Sequence, residues 1–147
     1  MATLGLKDGP VAILGAGAWG GTIAWMLQAS GKKVTLWSRN REKLSRIKAE
    51  KTFLDPLPVS FDENLKIVET LEEAIEDVPL VVLACTSQSM SSLCHLLKET
   101  LSEGELPVIV SAVKGLELGS LKRMSSVIRE ILPEAKVVSL SGPNLAY

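Results

Sequence analysis

Three glycines with a fixed spacing follow a short apolar segment near the start of the chain. Val11–Leu14 is succeeded by Gly15, Gly17 and Gly20 in the pattern G-x-G-x-x-G. Such a turn suits a dinucleotide: the first glycine allows a tight strand-to-helix turn, the second lets backbone approach a pyrophosphate, and the third lets helix and strand pack closely. The free N–H groups at the helix start then face the phosphates. Because a strand-like and a helix-forming segment flank the pattern, it predicts a dinucleotide site.

The residues after the second apolar segment indicate which nucleotide binds. Folds that prefer NAD place a carboxylate there, which accepts hydrogen bonds from the adenosine ribose. Residues 37–41 read Trp-Ser-Arg-Asn-Arg, and no acid precedes Glu42. The Arg39 guanidinium can stack on adenine and pair with a 2′-phosphate. We therefore predict NADP as the cofactor, with NAD as the alternative; the competing interpretation makes Arg39 and Arg41 part of a solvated helix start.

One lysine and two cysteines are the other candidates for chemistry. Lys114 comes just after a predicted strand, at the edge where an α/β sheet opens its ligand crevice, and its ammonium can hold an anionic or carbonyl oxygen there. Cys85 and Cys94 are expected to be buried thiols, since no metal-ligand spacing surrounds them. His95 and Cys94 point in different directions on a helix, which argues against a catalytic pair. We expect no metal site.

Apolar segments alternate with helix-forming segments along the chain. The pattern predicts strands at residues 11–14, 33–37, 66–69, 80–84, 107–111 and 137–140, and helices at 19–29, 41–51, 71–76, 89–101 and 120–132. Residues 52–64, with Pro56 and Pro58, are predicted to form an irregular loop. This alternation predicts the α/β class, with a doubly wound parallel sheet in a Rossmann-type dinucleotide-binding domain of strand order 3-2-1-4-5-6.

Composition narrows the classes of partner. The chain has 147 residues, of which 46% are hydrophobic, and this suits one domain with a sizeable core. Sixteen basic and seventeen acidic residues give a net charge of -1, which argues against nucleic acid as the main partner. The apolar stretches are too short to span a bilayer, and the first residues lack the long apolar region of a signal peptide. We expect a cytoplasmic protein with no membrane insertion and a small ligand.

Three later segments carry a specific resemblance. They are residues 85–88 (Cys-Thr-Ser-Gln), 111–117 (Ser-Ala-Val-Lys-Gly-Leu-Glu) and 140–146 (Leu-Ser-Gly-Pro-Asn-Leu-Ala). Together with the glycine pattern they resemble the NAD(P)-dependent glycerol-3-phosphate dehydrogenases, and the resemblance covers essentially the whole chain. It corresponds to the N-terminal domain of that family, whose helical substrate domain is absent from these residues. We therefore interpret residues 1–147 as one NAD(P)-binding Rossmann domain.

The resemblance implies a reaction and a set of roles. The reaction is reversible hydride transfer between NAD(P)H and dihydroxyacetone phosphate, which forms sn-glycerol 3-phosphate for phospholipid synthesis. The resemblance also implies a homodimer for the full-length enzyme. The residues at matching positions are, for the cofactor, Gly15, Gly17, Ala18, Trp19, Gly20, Arg39, Lys114 and Ala146, and for the substrate, Lys114, Gly142 and Asn144.

A few positions depart from the family pattern. Residues 85–87 read Cys-Thr-Ser where the family commonly has Val-Pro-Ser, and Val113 stands where Thr often precedes the lysine. Asn144 replaces a common Ser or Thr and can still donate and accept hydrogen bonds. Phe53 corresponds to an aromatic residue that the family places near the cofactor.

The general acid/base lysine of the family lies beyond Tyr147. Proton transfer must accompany hydride arrival, and the lack of the positioned acid alone costs a factor on the order of a hundred or more in rate. We therefore expect the 147 residues to bind cofactor but to turn over little or nothing. Two alternatives remain open. One is another two-domain reductase, similar to ketopantoate reductase or 3-hydroxyacyl-CoA dehydrogenase; the other is a nucleotide-sensing module without chemistry.

Overall fold

The computed structural model describes residues 8–53, 59–101 and 106–142. Helices and strands alternate along these ranges. The helices are α1 (Ala18–Ala29), α2 (Arg41–Glu50), α3 (Leu71–Ile75), α4 (Met90–Thr100) and α5 (Met124–Ile131). The strands are β1 (Val11–Leu14), β2 (Val34–Trp37), β3 (Thr52–Phe53), β4 (Val59–Ser60), β5 (Leu65–Ile67), β6 (Leu80–Leu83), β7 (Val108–Ser111) and β8 (Val137–Ser139).

Six of the strands form one parallel sheet. Their order is β5-β2-β1-β6-β7-β8, and β1 pairs on one side with β2 and on the other with β6. Without the short strands β3 and β4, this is the order 3-2-1-4-5-6, so the predicted doubly wound Rossmann-type fold is confirmed. The winding reverses between β1 and β6, and ligands of open α/β sheets bind outside the carboxyl ends of strands at such a reversal.

The sheet separates two apolar clusters, because successive side chains of a strand point to opposite faces. In β1, Ala12 and Leu14 join the cluster that includes residues of α3, α4 and α5, whereas Val11 and Ile13 join the cluster that includes residues of α1 and α2. All four side chains are buried. The strands are thus covered on both faces, as their continuous apolar sequence predicts.

The segment 52–64 is not the irregular loop that its prolines suggest. Backbone pairing of Thr52 with Ser60 makes β3 and β4 an antiparallel hairpin. The buried side chain of Gln28 on α1 anchors it: Gln28 Nε2 donates to the Ser60 carbonyl at 3.4 Å, and the Asp62 N–H donates to Gln28 Oε1 at 2.9 Å. Pro56 and Pro58 lie outside the described residues. The prediction was wrong because the partner that orders this segment lies about thirty residues earlier in the chain.

Helix α5 begins four residues later than the predicted start at Ser120. The preceding residues fold back on themselves instead: Leu116 bridges Arg123, and the Glu117 N–H donates to the Lys122 carbonyl at 3.0 Å. Leu121 has a φ of 55°, which a helix does not allow. The helix therefore starts at Met124, where the apolar face that packs on the sheet begins.

Candidate functional site

A first cleft opens at the carboxyl ends of β1, β2 and β6, where the winding reverses. Its volume is about 410 Å³. The glycine turn forms one side, the residues after β2 form the second, and the start of α4 forms the third. The residues that line it include Gly15, Gly17, Ala18, Trp19, Arg39, Cys85, Thr86 and Ser89.

The glycine turn is built by close backbone packing. Gly15 has a φ of 126°, and a Cβ at this position would collide with the carbonyl of Ala84 at the end of the neighbouring strand β6. A Cβ at Gly20 would collide with the carbonyl oxygen of Gly15. The positive φ of Gly15 fits the predicted tight turn, and the collision at Gly20 fits the predicted close packing of helix and strand. At Gly17, by contrast, a Cβ would meet nothing within 4 Å, so this residue leaves open space beside the cleft.

The start of α1 offers donors to an anion. Gly17 is the N-cap residue and supplies no side chain to satisfy the first N–H groups, and the first turn holds no acidic residue. Ala18 is exposed at this end, and Trp19 is half-buried with its Nε1 buried and without a hydrogen-bond partner among the described residues. Unsatisfied N–H groups at a helix N-terminus favour bound phosphate. These residues fit a dinucleotide pyrophosphate.

Arg39 lines the same cleft as the glycine turn and comes two residues after the end of β2. Its guanidinium Nη2 donates to Ser92 Oγ at 2.9 Å and to the Ser89 carbonyl oxygen at 3.4 Å. Of the described residues that line this cleft, Arg39 alone carries a charge. Arg41 begins α2 on an exposed face and does not line the cleft. Among the described residues that line the cleft there is no carboxylate, the group that holds the free ribose of NAD in folds of this kind.

The two cysteines occupy different surroundings. Cys94 is fully buried, and burial raises its pKa to about 12. Cys85 is half-buried and lines the first cleft, so the prediction that both thiols are buried is wrong for Cys85. Partial burial raises the pKa of Cys85, while its own backbone hydrogen bond and the charge of Arg39 act in the opposite direction. His95 is exposed, whereas Cys94 faces the core, so the two side chains do not form a pair.

A second cleft of about 390 Å³ opens beyond the ends of β7 and β8. Lys114 and Gly142, both predicted from the sequence, line it together. Arg123 and Ser125 also line it, and sequence reasoning missed both because it placed them inside a longer helix. The cleft thus combines two cations with hydroxyl groups, a set of donors that suits an anionic ligand. In the sequence, the indication that Arg123 takes part in this cleft is its short separation from the segment around Lys114.

Three predicted residues are not located by the structure. Asn144 and Ala146 lie outside the described residues, and so does the side chain of Phe53. Over the described ranges, no group of three or more His, Cys, Asp or Glu side chains is arranged to hold a metal ion. Each helix in those ranges is too short or too polar to cross a lipid bilayer.

Residues 10–147 match the family model described as the NAD-dependent glycerol-3-phosphate dehydrogenase N-terminus. The chain belongs to this family. A glycerol-3-phosphate dehydrogenase (NAD(P)+) of Corynebacterium glutamicum is 38% identical over 139 residues, which cover 92% of this chain and 41% of the relative. The resemblance inferred from the glycine, Lys114 and Gly142 segments is thereby confirmed.

Solved glycerol-3-phosphate dehydrogenases have the same fold. The crystal structure of the enzyme from Coxiella burnetii superposes on this chain with a TM-score of 0.82 at 30% identity. The match covers 92% of this chain and 41% of the Coxiella burnetii chain. The enzyme from Saccharomyces cerevisiae gives a TM-score of 0.75 at 25% identity over 95% of this chain and 43% of its own. The chain therefore spans about two fifths of the length of the glycerol-3-phosphate dehydrogenases that it matches.

Proposed function

We propose that the chain serves as the cofactor-binding part of an oxidoreductase that interconverts dihydroxyacetone phosphate and sn-glycerol 3-phosphate, with NADPH as the preferred nucleotide. Family membership supports the oxidoreductase class. The observation that carries the choice of nucleotide is the first cleft, in which Arg39 is present and a lining carboxylate is absent among the described residues. A 2′-phosphate pairs with a guanidinium, whereas the free ribose of NAD is held by an acid.

The cofactor is held by residues from two parts of the chain, the start of α1 and the segment after β2. The N–H groups at the start of α1, next to Gly17 and Ala18, face the pyrophosphate. Trp19 lines the same side of the cleft. Arg39 binds the phosphorylated ribose at the far end. The bound nicotinamide would supply the hydride, while the start of α1 and Arg39 would hold the pyrophosphate and the phosphorylated ribose.

The substrate is held in the second cleft. Lys114 and Arg123 bring two positive charges to it, and Gly142 lets a ligand approach the backbone after β8. A cation beside a carbonyl oxygen stabilises the charge that develops there on reduction. We place dihydroxyacetone phosphate here, with Asn144 as a further substrate contact and with Lys114 and Ala146 next to the cofactor.

We further propose that the product supplies glycerophospholipid synthesis in the cytoplasm and that the enzyme of which this domain is the N-terminal part is a homodimer. The basis is the resemblance to the family. Analytical ultracentrifugation of a protein that is as long as the curated relatives tests for the dimer. A monomer at micromolar concentration would exclude the dimer.

The nucleotide proposal is tested by calorimetric titration of the 147-residue chain with NADPH and with NADH at moderate salt. We expect both to bind and NADPH to bind more tightly. If neither NADPH nor NADH binds, the proposal is overturned.

The substrate proposal is tested by titrating dihydroxyacetone phosphate into the NADPH-saturated chain and following amide NMR shifts around the second cleft. Lys114→Ala should abolish the shifts. Lys122→Ala is the matched control, because Lys122 is an exposed lysine eight residues away that pairs with Glu130 at 2.7 Å and does not line the cleft. Equal loss in both variants would show that the response reflects net charge and would refute the assignment of Lys114.

A further inference from the structure

The Arg39 side chain is held by α4 rather than extended into solvent. Its two hydrogen bonds reach Ser89 and Ser92, which lie 50 and 53 residues later in the chain. Arg39 follows β2, whereas Ser89 is the N-cap residue of α4 and Ser92 lies in its first turn. The bonds therefore connect two walls of the first cleft, and they fix the guanidinium across its rim.

The Ser92 hydroxyl is oriented to accept from Arg39. A serine hydroxyl carries one proton and two lone pairs. Ser92 Oγ donates its proton to the Ser89 carbonyl oxygen at 3.1 Å, so a lone pair faces the guanidinium. Thr86 Oγ1 lies 3.0 Å from Ser89 Oγ and ties the same turn to the segment after β6. The acceptor hydroxyl of Ser92 is thus held by backbone, and the turn that carries it is tied to the segment after β6.

The geometry leaves most of the guanidinium available to a ligand. Both bonds use Nη2, so within the part of the chain that the structure describes, Nε and Nη1 of Arg39 carry no bond. A phosphate takes two parallel N–H bonds from a guanidinium. Because arginine has many rotamers, a side chain that is already held in place loses less entropy when the phosphate binds.

We propose that Ser92 is a positioning residue that holds the Arg39 guanidinium over the cleft and thereby sets the preference for NADPH over NADH. The inference rests on the nucleotide site proposed above and adds a residue that touches neither the cofactor nor the glycine turn. Ser92→Ala should weaken NADPH binding by about three- to tenfold, the range of one hydrogen bond of ordinary net strength. NADH binding should change by less than about twofold, since NADH has no 2′-phosphate to meet Arg39.

The experiment is a set of titrations with NADPH and NADH on four chains: the natural one, Ser92→Ala, Ser92→Thr and Ser91→Ala. Ser92→Thr keeps the hydroxyl and should retain the natural ratio of affinities. Ser91 is the neighbouring serine, takes part in none of these bonds and does not line the cleft, so Ser91→Ala controls for the loss of a hydroxyl from α4. Thermal melts of all four chains identify any loss of folding.

Two further chains, Arg39→Met and the double variant Arg39→Met/Ser92→Ala, distinguish positioning from a general structural effect. In an Arg39→Met background, Ser92→Ala should change the NADPH affinity no further, because a positioning residue acts only through the group that it positions. An unchanged or higher NADPH affinity in Ser92→Ala, or an equal loss in the Arg39→Met background, would overturn the inference while leaving the nucleotide site intact. If the natural chain binds neither nucleotide, the proposed function and the inference both fail.

Discussion

Replacement of Arg39 by methionine tests how the cleft discriminates between the two nucleotides. Methionine keeps much of the length and apolar surface of the arginine stem but removes the charge. A guanidinium and a phosphate about 4 Å apart attract by roughly 4 kcal/mol at the effective dielectric constant of a protein surface. Arg39 is exposed and already donates to Ser89 and Ser92, so solvent screening and the cost of sharing donors reduce this value.

We therefore expect Arg39→Met to cost about 1.5 to 2.5 kcal/mol of NADPH binding, which is a loss of roughly 10- to 70-fold. NADH should lose about threefold or less, from the contact of the side chain with the adenine ring. Arg39→Asp should lower the NADPH affinity further, since a carboxylate repels the 2′-phosphate. Raising the ionic strength from about 0.05 to 0.5 M should reduce the difference between the nucleotides, because the Debye length becomes shorter than the extent of the cleft.

The assay is calorimetric titration with each nucleotide, and Arg41→Met is the matched control. Arg41 is two residues away, carries the same charge and does not line the cleft. We expect Arg41→Met to change either affinity by less than about twofold. Equal effects of the two substitutions, or equal losses of NADPH and NADH in Arg39→Met, would refute the assignment of the 2′-phosphate to Arg39.

Three further predictions concern the turn and the thiols. Gly20→Ala should lower the free energy of unfolding by about 2 to 3 kcal/mol in chemical denaturation, because its Cβ collides with backbone of Gly15; a change below about 0.5 kcal/mol would contradict this packing. Gly17→Ala should leave stability within about 0.5 kcal/mol, since its Cβ meets nothing within 4 Å, yet weaken nucleotide binding in the same titrations. Iodoacetamide should modify Cys85 slowly at neutral pH and faster as the pH rises beyond 9.0, because the raised pKa of Cys85 leaves little thiolate at lower pH. NADPH should slow this reaction. Mass spectrometry should find Cys94 modified only after unfolding.

The sheet was predictable because its signals are local. Each strand of the large sheet reads as a short apolar segment, and the glycine pattern identifies β1 and the start of α1. The hairpin of β3 and β4 was not predictable, because Gln28 supplies its anchor from a distant helix. Two-residue strands carry too little periodicity to be recognised without that partner.

The clefts were predictable in part for the same reason. The glycine turn, Arg39 and Lys114 each follow a strand, and the carboxyl ends of parallel strands meet at one edge of the sheet. The contact of Arg39 with Ser92 depends on the spacing between β2 and α4, which no short segment encodes. Arg123 was missed because a turn at positive φ delays the start of α5.

The collision that a Cβ at Gly20 would make with Gly15 shows that the three glycines of the motif have two different roles. Gly15 and Gly20 are required by the contact of a helix with a strand, whether or not a ligand is present. Only Gly17 stands in open space, where the approach of a ligand is the remaining reason for a residue without a side chain. A descendant of this domain that ceased to use nucleotides would keep the outer two glycines and be free to replace the middle one. In chains of this architecture, the second glycine is therefore the position to inspect when asking whether an inherited fold still carries its inherited chemistry.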